Sequence, residues 1–174
     1  MKKFYALVIL VLFSIACAAG RTQIIEPRKL GFKNFAVLEI TDFENNVGPA
    51  CPTEICSRIP DSVAEKVKTL NLFKAVNRVP IETEVVAEEK TLILKGNIIE
   101  YNPGSRGKRY LAGAFGWGKG FIMVRLTAID KKTREEIFKG NCGAELSGGV
   151  FGGSFSGAVD KLVDEVVKCI QMNY

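Results

Sequence analysis

The sequence contains no histidine, and it has a single tryptophan among 174 residues. Without histidine, a serine or cysteine nucleophile would need a lysine or carboxylate base, and no local arrangement of residues singles one out. Zinc is also a poor match, because imidazole ligands are missing and no cysteines show the C-x₂-C spacing of structural sites. The sequence therefore predicts that the protein is not an enzyme and has no metal and no cofactor.

Several carboxylates are present, but they lie on predicted strands and helices. Glu39 and Asp42 lie on a predicted strand. Asp160, Asp164 and Glu165 lie on a predicted helix. Charged side chains at such positions ordinarily face solvent. We therefore expect these five side chains to be solvated, and nothing in their placement argues for a glycosidase pair.

A phosphate-binding loop is suggested only by residues 113–119, which fit the pattern G-x-x-x-x-G-K. The hydroxyl that should follow is absent, because position 120 is Gly120. No helix follows either, since residues 121–129 alternate as in a strand, so no helix dipole would point at a phosphate. Nucleotide binding is not predicted.

The only long apolar run, residues 4–13, is too short for a permanent membrane span. Lys2 and Lys3 precede it and small residues follow, which is the pattern of a secretory signal peptide. Residues 14–17, S-I-A-C, resemble a bacterial lipobox with Ser14 where leucine is usual. This favours acylation of Cys17, and Ala18 after it favours the outer membrane. Residues 16–18, A-C-A, also fit ordinary signal peptidase, which would release a soluble periplasmic protein.

The formal net charge is +5 and the isoelectric point is about 9.0. An exported protein has little access to nucleic acid, so solvated lysines are the better explanation of this charge.

Export also permits disulfides, and an even set of four cysteines remains beyond Cys17. We favour a Cys51–Cys56 bond, with Cys142 near Cys169 as a second pair. The alternative is that Cys142 and Cys169 are free and buried, since a free cysteine packs as a small hydrophobe.

Apolar periodicity predicts an α+β fold, with a mostly antiparallel sheet and two helices packed on one face in the order β-α-β-β-β-β-α. Residues 1–17 are the signal peptide, 18–30 a tether or extended arm, and 31–174 a single domain. Pro60 marks or restricts the first turn of the first helix. Ser154 or Ser156 caps the second. The predicted strands are residues 35–43, 72–78, 91–101, 121–129 and 135–145, and the helices begin near residues 57 and 155.

Glycine is concentrated late in the chain, with 13 of its 17 residues between Gly104 and Gly157. The most unusual part is residues 101–120, here called the glycine-rich segment, which combines turn formers, aromatics and cations. One interpretation is that it binds an envelope partner or anionic lipid. The other is a solvated hairpin tip whose aromatics pack back onto the sheet. The candidate contact residues are Arg106, Lys108, Arg109 and Trp117.

Several stretches together resemble the bacterial domain-of-unknown-function family 4410. They are residues 92–101, the P-G-S-R at 103–106, Arg109 with Tyr110, the glycines of 113–120, and the S-G-G-V-F-G-G-S-F at 147–155. The resemblance spans residues 35–167 and implies an exported lipoprotein without an established activity. Arg134 stands where glycine is commoner in the hairpin turn. More distantly, residues 72–78 and the preceding helix are similar to the TolB N-terminal domain and the curli-secretion lipoprotein, which implies periplasmic protein contacts.

These observations predict a non-enzymatic, lipid-anchored envelope protein that binds a protein partner or the membrane surface through the glycine-rich segment. The alternative from a different class is a self-assembling structural or secretion component, in which case the protein is an oligomer. Both place the protein at the outer membrane facing the periplasm, or in the periplasm itself.

Overall fold

The computed structural model describes residues 20–26, 30–79, 90–104, 120–146 and 155–174. Within these ranges, six strands form one sheet and two α-helices pack against one face of it. The α+β class predicted from the sequence is confirmed. The strands are β1 (Gly20–Glu26), β2 (Val37–Asn45), β3 (Ala75–Arg78), β4 (Thr91–Asn102), β5 (Gly120–Asp130) and β6 (Glu136–Leu146), and the helices are α1 (Thr53–Thr69) and α2 (Phe155–Asn173).

The strand order across the sheet is β1-β6-β5-β4-β2-β3. The three pairs from β1 to β4 are antiparallel, whereas β2 runs parallel to both β4 and β3. The parallel β2 and β3 are joined through α1, because a crossover between parallel strands needs a long connection. The predicted element order is confirmed, and β1 adds an edge strand inside the segment interpreted as a tether or extended arm.

The core lies between the sheet and the two helices. On β5, Ile122, Val124, Leu126 and Ala128 are buried, and the residues between them are only half-buried. This alternation places every second side chain of the strand on the helix-covered face. Both helices bury an apolar stripe against that face, which consists of Ile59, Val63 and Val67 on α1 and Val159, Leu162, Val163, Val166 and Ile170 on α2.

Helix α1 begins earlier than its sequence suggests. It starts at Thr53, so Pro60 lies inside the helix and not in its first turn. The Pro60 side chain is buried, and a proline ring can therefore contribute to the core even though it supplies no N–H to the helix. Among the described helices, none is both long enough and apolar enough to cross a bilayer.

Strand register divides the sheet into two ends. At one end Asn102 pairs with Phe121, Gly120 with Leu146, and Gly20 with Ala144. This end, here called the loop end, holds the last residues of β4 and β6 and the first residues of β5 and β1. At the opposite end, here called the turn end, β5 and β6 are joined by residues 131–135 and the parallel strands begin.

Candidate contact site at the loop end of the sheet

The glycine-rich segment leaves the sheet from a fixed base. Asn102 is the last residue of β4, and its Oδ1 accepts a hydrogen bond of 2.8 Å from the Gly104 N–H. Gly104 has a φ of 69°, in the left-handed region that favours glycine. Phe121, on the returning strand, pairs with Asn102. Both ends of residues 103–119 are therefore held by two paired central strands.

The four residues singled out for contact, Arg106, Lys108, Arg109 and Trp117, lie outside the described residues, as does Cys17. Their roles stay predictions. What the structure adds is the position at which their segment begins and ends. Since β4 and β5 are paired inner strands, the segment begins and ends on central strands of the sheet and not at its edge.

Cys51 and Cys56 lie at the loop end, with their Sγ atoms 3.4 Å apart. Both are buried, and both are free thiols. The predicted bond is therefore not formed in the structure, because a disulfide needs a sulfur separation near 2.05 Å. The two thiols are neighbours, and their joining by a disulfide stays a prediction.

The environment of this first pair disfavours the thiolate form of Cys51. Burial, with the hydrogen bond and charge of Cys56, raises the pKa of Cys51 to about 12. Burial also raises the pKa of Tyr101, and the charges of Cys51 and Cys56 add to that effect. Tyr101 is the penultimate residue of β4, so the pair sits beside the base of the glycine-rich segment.

Cys142 on β6 and Cys169 on α2 form the second pair, and both are buried free thiols. Their mutual hydrogen bond raises the pKa of Cys142, and burial raises it further. The same bond lowers the pKa of Cys169. Cys169 therefore carries the more readily formed thiolate, the reactive species in thiol exchange. Helix α2 thus brings Cys169 to Cys142 of the sheet, and the two thiols are not joined by a covalent bond.

Glu39 is not solvated, contrary to the expectation from its strand position. Its carboxylate oxygens accept hydrogen bonds of 2.8 and 2.9 Å from Lys131 Nζ, and the two side chains are only 11% and 8% exposed. Lys131 reaches this position because its backbone N–H is bonded to the Thr91 carbonyl at 3.0 Å. Burial of a charge is tolerable when the charge is paired and hydrogen-bonded. The periodicity of the sequence could not reveal this pair, because its partners are 92 residues apart in the chain.

Of the remaining expected carboxylates, Asp42, Asp160 and Asp164 are exposed, whereas Glu165 is half-buried. Asp42 binds Arg78, which also binds Asp61 on α1. Asp160 and Asp164 of α2 pair with cations of α1, and Glu165 accepts a hydrogen bond from the Thr22 hydroxyl. These contacts tie elements together, and none converges on a cleft. Across the described ranges, no three metal-ligating side chains come close enough to hold an ion.

The family model described as "Domain of unknown function (DUF4410)" matches residues 44–152. No curated protein matches the sequence. Among solved structures, a PelC dodecamer from Paraburkholderia phytofirmans is similar, with a TM-score of 0.51, 11% identity, and coverage of 87% of this chain and 94% of that chain. The hypothetical protein CT253 from Chlamydia trachomatis is similar with a TM-score of 0.53, 9% identity, and coverage of 80% and 97%. At these identities the likeness concerns the fold alone. The similarity to TolB and the curli-secretion lipoprotein stays a prediction.

Proposed function

This chain belongs to the DUF4410 family, and from that premise we propose that it is a lipid-anchored bacterial envelope protein without catalytic activity. It binds the membrane surface or an envelope protein through the glycine-rich segment. The observation that carries the proposal is the register at the loop end, where β1 begins at the same end of the sheet as the points on β4 and β5 that hold that segment.

The anchor and the candidate contact residues share one end of the sheet. Gly20, the first residue of β1, comes three residues after Cys17. Three extended residues reach about 10 Å at most. Acylation of Cys17 would therefore hold the loop end close to the bilayer, with the glycine-rich segment on the same side. A soluble periplasmic protein, cleaved at the ordinary site, would lack this constraint.

The side chains of the glycine-rich segment are suited to contact with a negatively charged surface. Arg106, Lys108 and Arg109 are cations, each of which gains about 1 kcal/mol near an anionic leaflet. Trp117 has the large amphipathic ring that concentrates at membrane interfaces and in protein contacts. An acidic protein surface beside the bilayer would satisfy the same residues.

The test is a triple variant, Arg106→Ala, Arg109→Ala and Trp117→Ala, assayed for binding to anionic vesicles and to envelope proteins crosslinked in cells. A matched control removes two exposed cations and one exposed apolar side chain elsewhere, as Lys132→Ala, Lys161→Ala and Met172→Ala. We expect the first variant to lose capture at unchanged thermal stability, and the control to retain it. Unchanged capture by the first variant would refute the proposed role.

A second candidate function is self-assembly, which the dodecameric state of the similar PelC structure favours. In this chain β1 is an edge strand, and its Ile24 and Ile25 are 53% and 42% exposed. An edge strand offers unpaired backbone groups to another chain. Light scattering in detergent tests the idea, since Ile24→Lys with Ile25→Lys should dissociate an oligomer. A parent protein that is monomeric at high concentration would count against assembly.

A further inference from the structure

A hollow of about 490 Å³ opens at the turn end of the sheet, far from the glycine-rich segment. Its lining comes from three chain segments that precede the parallel strands, and from the end of α2. Lys33, Lys74 and Lys90 contribute one cation each from these segments. The volume lies within the range of roughly 300–1,000 Å³ that is typical of small-molecule sites.

Backbone hydrogen bonds fix the positions of the lysine-bearing segments. The Lys74 N–H donates to the Ala36 carbonyl at 2.8 Å, and the Ala36 N–H donates to the Lys90 carbonyl at the same distance. The three lysines are therefore brought together by the sheet itself. Three unrelated positions in the sequence, residues 33, 74 and 90, become neighbours only because β2 lies between β3 and β4.

Apart from Asn34, whose Nδ2 donates to the Gly31 carbonyl at 2.9 Å, the rest of the lining is apolar or aromatic. Phe35 is 3% exposed and packs into the core beneath the hollow. Leu72 and Tyr174 also contribute to the lining, and the Tyr174 ring makes an edge contact with Phe73 at 5.5 Å between centroids. A ligand here would contact an apolar surface as well as the ammonium groups. This combination favours a charged molecule with a ring, such as a sugar acid or sugar phosphate, over a bare ion.

The cations of the hollow are accessible. Lys33 and Lys90 are both exposed, and no carboxylate of the described residues is seen paired with either. Lys74 has an interaction of its own and still lines the hollow. Lysine ammonium groups bind phosphate and carboxylate as point charges on flexible stems. We propose that the turn-end hollow is a binding site for an anionic ligand of sugar size, with its carboxylate or phosphate held by Lys33 and Lys90.

Because the hollow and the glycine-rich segment lie at opposite ends of the sheet, this site is independent of the proposed membrane or partner contact. In a protein anchored at Cys17, the hollow would face away from the bilayer. Its ligand would therefore come from the periplasmic side, as a free molecule or as a unit of an acidic polymer.

The test measures the rate at which each lysine of the purified protein is acetylated, by mass spectrometry, with glucose 6-phosphate, glucuronate or neutral glucose. We expect one of the charged sugars to slow labelling of Lys33 and Lys90 several-fold, and glucose to have no effect. Lys68 and Lys161, exposed on the two helices, are internal controls whose rates should not change. Unchanged labelling of Lys33 and Lys90 at millimolar charged sugar would overturn the proposal.

Matched double variants complete the test. Lys33→Gln with Lys90→Gln should weaken the Kd of the effective sugar at least tenfold by calorimetry. Lys68→Gln with Lys161→Gln removes the same net charge and should leave it within twofold. Equal weakening by both pairs would show attraction by overall charge alone and would contradict a site. Both variants change exposed side chains, and their melting temperatures verify that the fold is intact.

Discussion

The two ends of the sheet differ in how their strands are connected. At the turn end, residues 131–135 join β5 to β6, and the Asp130 carboxylate accepts hydrogen bonds from the Lys132 and Thr133 N–H groups at 2.8 and 3.2 Å. At the loop end, residues 103–119 and 147–154 are long and rich in glycine. Short hydrogen-bonded turns fix strand register, whereas long loops carry contact residues on a rigid scaffold.

This difference suggests that stability and contact are assigned to separate parts of the molecule. Substitutions at the turn end and in the strands should then lower the free energy of unfolding without affecting capture. Substitutions in the glycine-rich segment should do the reverse. Substitutions in the two parts of the molecule test this division.

The largest expected effect follows from the buried ion pair at the turn end. Lys131→Met leaves the Glu39 carboxylate buried without its partner, and we expect a loss of about 3–5 kcal/mol in the free energy of unfolding. Urea denaturation measures it. The double variant Glu39→Gln with Lys131→Met should recover part of the loss, because no uncompensated charge remains. A double variant no more stable than Lys131→Met would contradict this account of the pair.

The second-largest effect on stability is expected for the two cysteine pairs. If the protein matures in an oxidising compartment, we expect both pairs to be joined, which intact mass spectrometry detects as the loss of two hydrogens per bond. Reduction should then cost about 2–4 kcal/mol, mostly through the Cys142–Cys169 bond, which closes the longer loop. In the reduced protein Cys169 should be alkylated before Cys142, because its pKa is the lowered one. Four free thiols in protein taken from the envelope would contradict this prediction.

A smaller effect is expected where Phe43 of β2 pairs with Gly96 of β4. A Cβ at Gly96 would lie 2.6 Å from the Phe43 ring, so Gly96→Ala forces the ring to move. Overpacking of this kind typically costs about 1–3 kcal/mol. Gly31→Ala is the control, since its nearest contact would be an ordinary 3.6 Å and its φ is −67°. Equal melting temperatures for the two variants would show that the strand tolerates the extra methyl group.

The smallest effect on stability is expected between the helices. Arg58 and Asp160 are 2.7 Å apart, but their side chains are about half exposed. An exposed pair contributes about 0.2–1 kcal/mol and is screened by salt. A double-mutant cycle on Arg58→Ala and Asp160→Ala should give a coupling in this range that falls at 1 M NaCl. A coupling independent of salt would argue against an exposed electrostatic contact.

Alternation and helical periodicity predicted most of the fold. Strand β5 was found because helices cover one face of the sheet and its buried residues alternate, and β4 because its opening run is apolar on both faces. Strand β1 escaped detection because Thr22 to Ile25 are all exposed, so no apolar pattern marks it. Arg134 occupies a turn position where the family more often has glycine. Its φ of 62° lies in the left-handed region that favours glycine.

The functional features were less predictable, and for a physical reason. The Glu39–Lys131 pair and the lysines of the turn-end hollow join residues that only strand order brings together. Proximity within each cysteine pair could be expected because few cysteines are present, whereas their bonding stays a prediction. The glycine-rich segment was singled out by composition, and the structure adds the place where it is attached.

The central claim is that the loop end is the contact surface of the anchored protein. The most direct measurement is photo-crosslinking in cells with a benzoylphenylalanine at position 117, compared with the same residue at position 132 in the exposed turn of the opposite end. The account predicts adducts with lipid or a single envelope protein at position 117 and none at position 132. Adducts at position 132 alone, or equal yields at both positions, would contradict it.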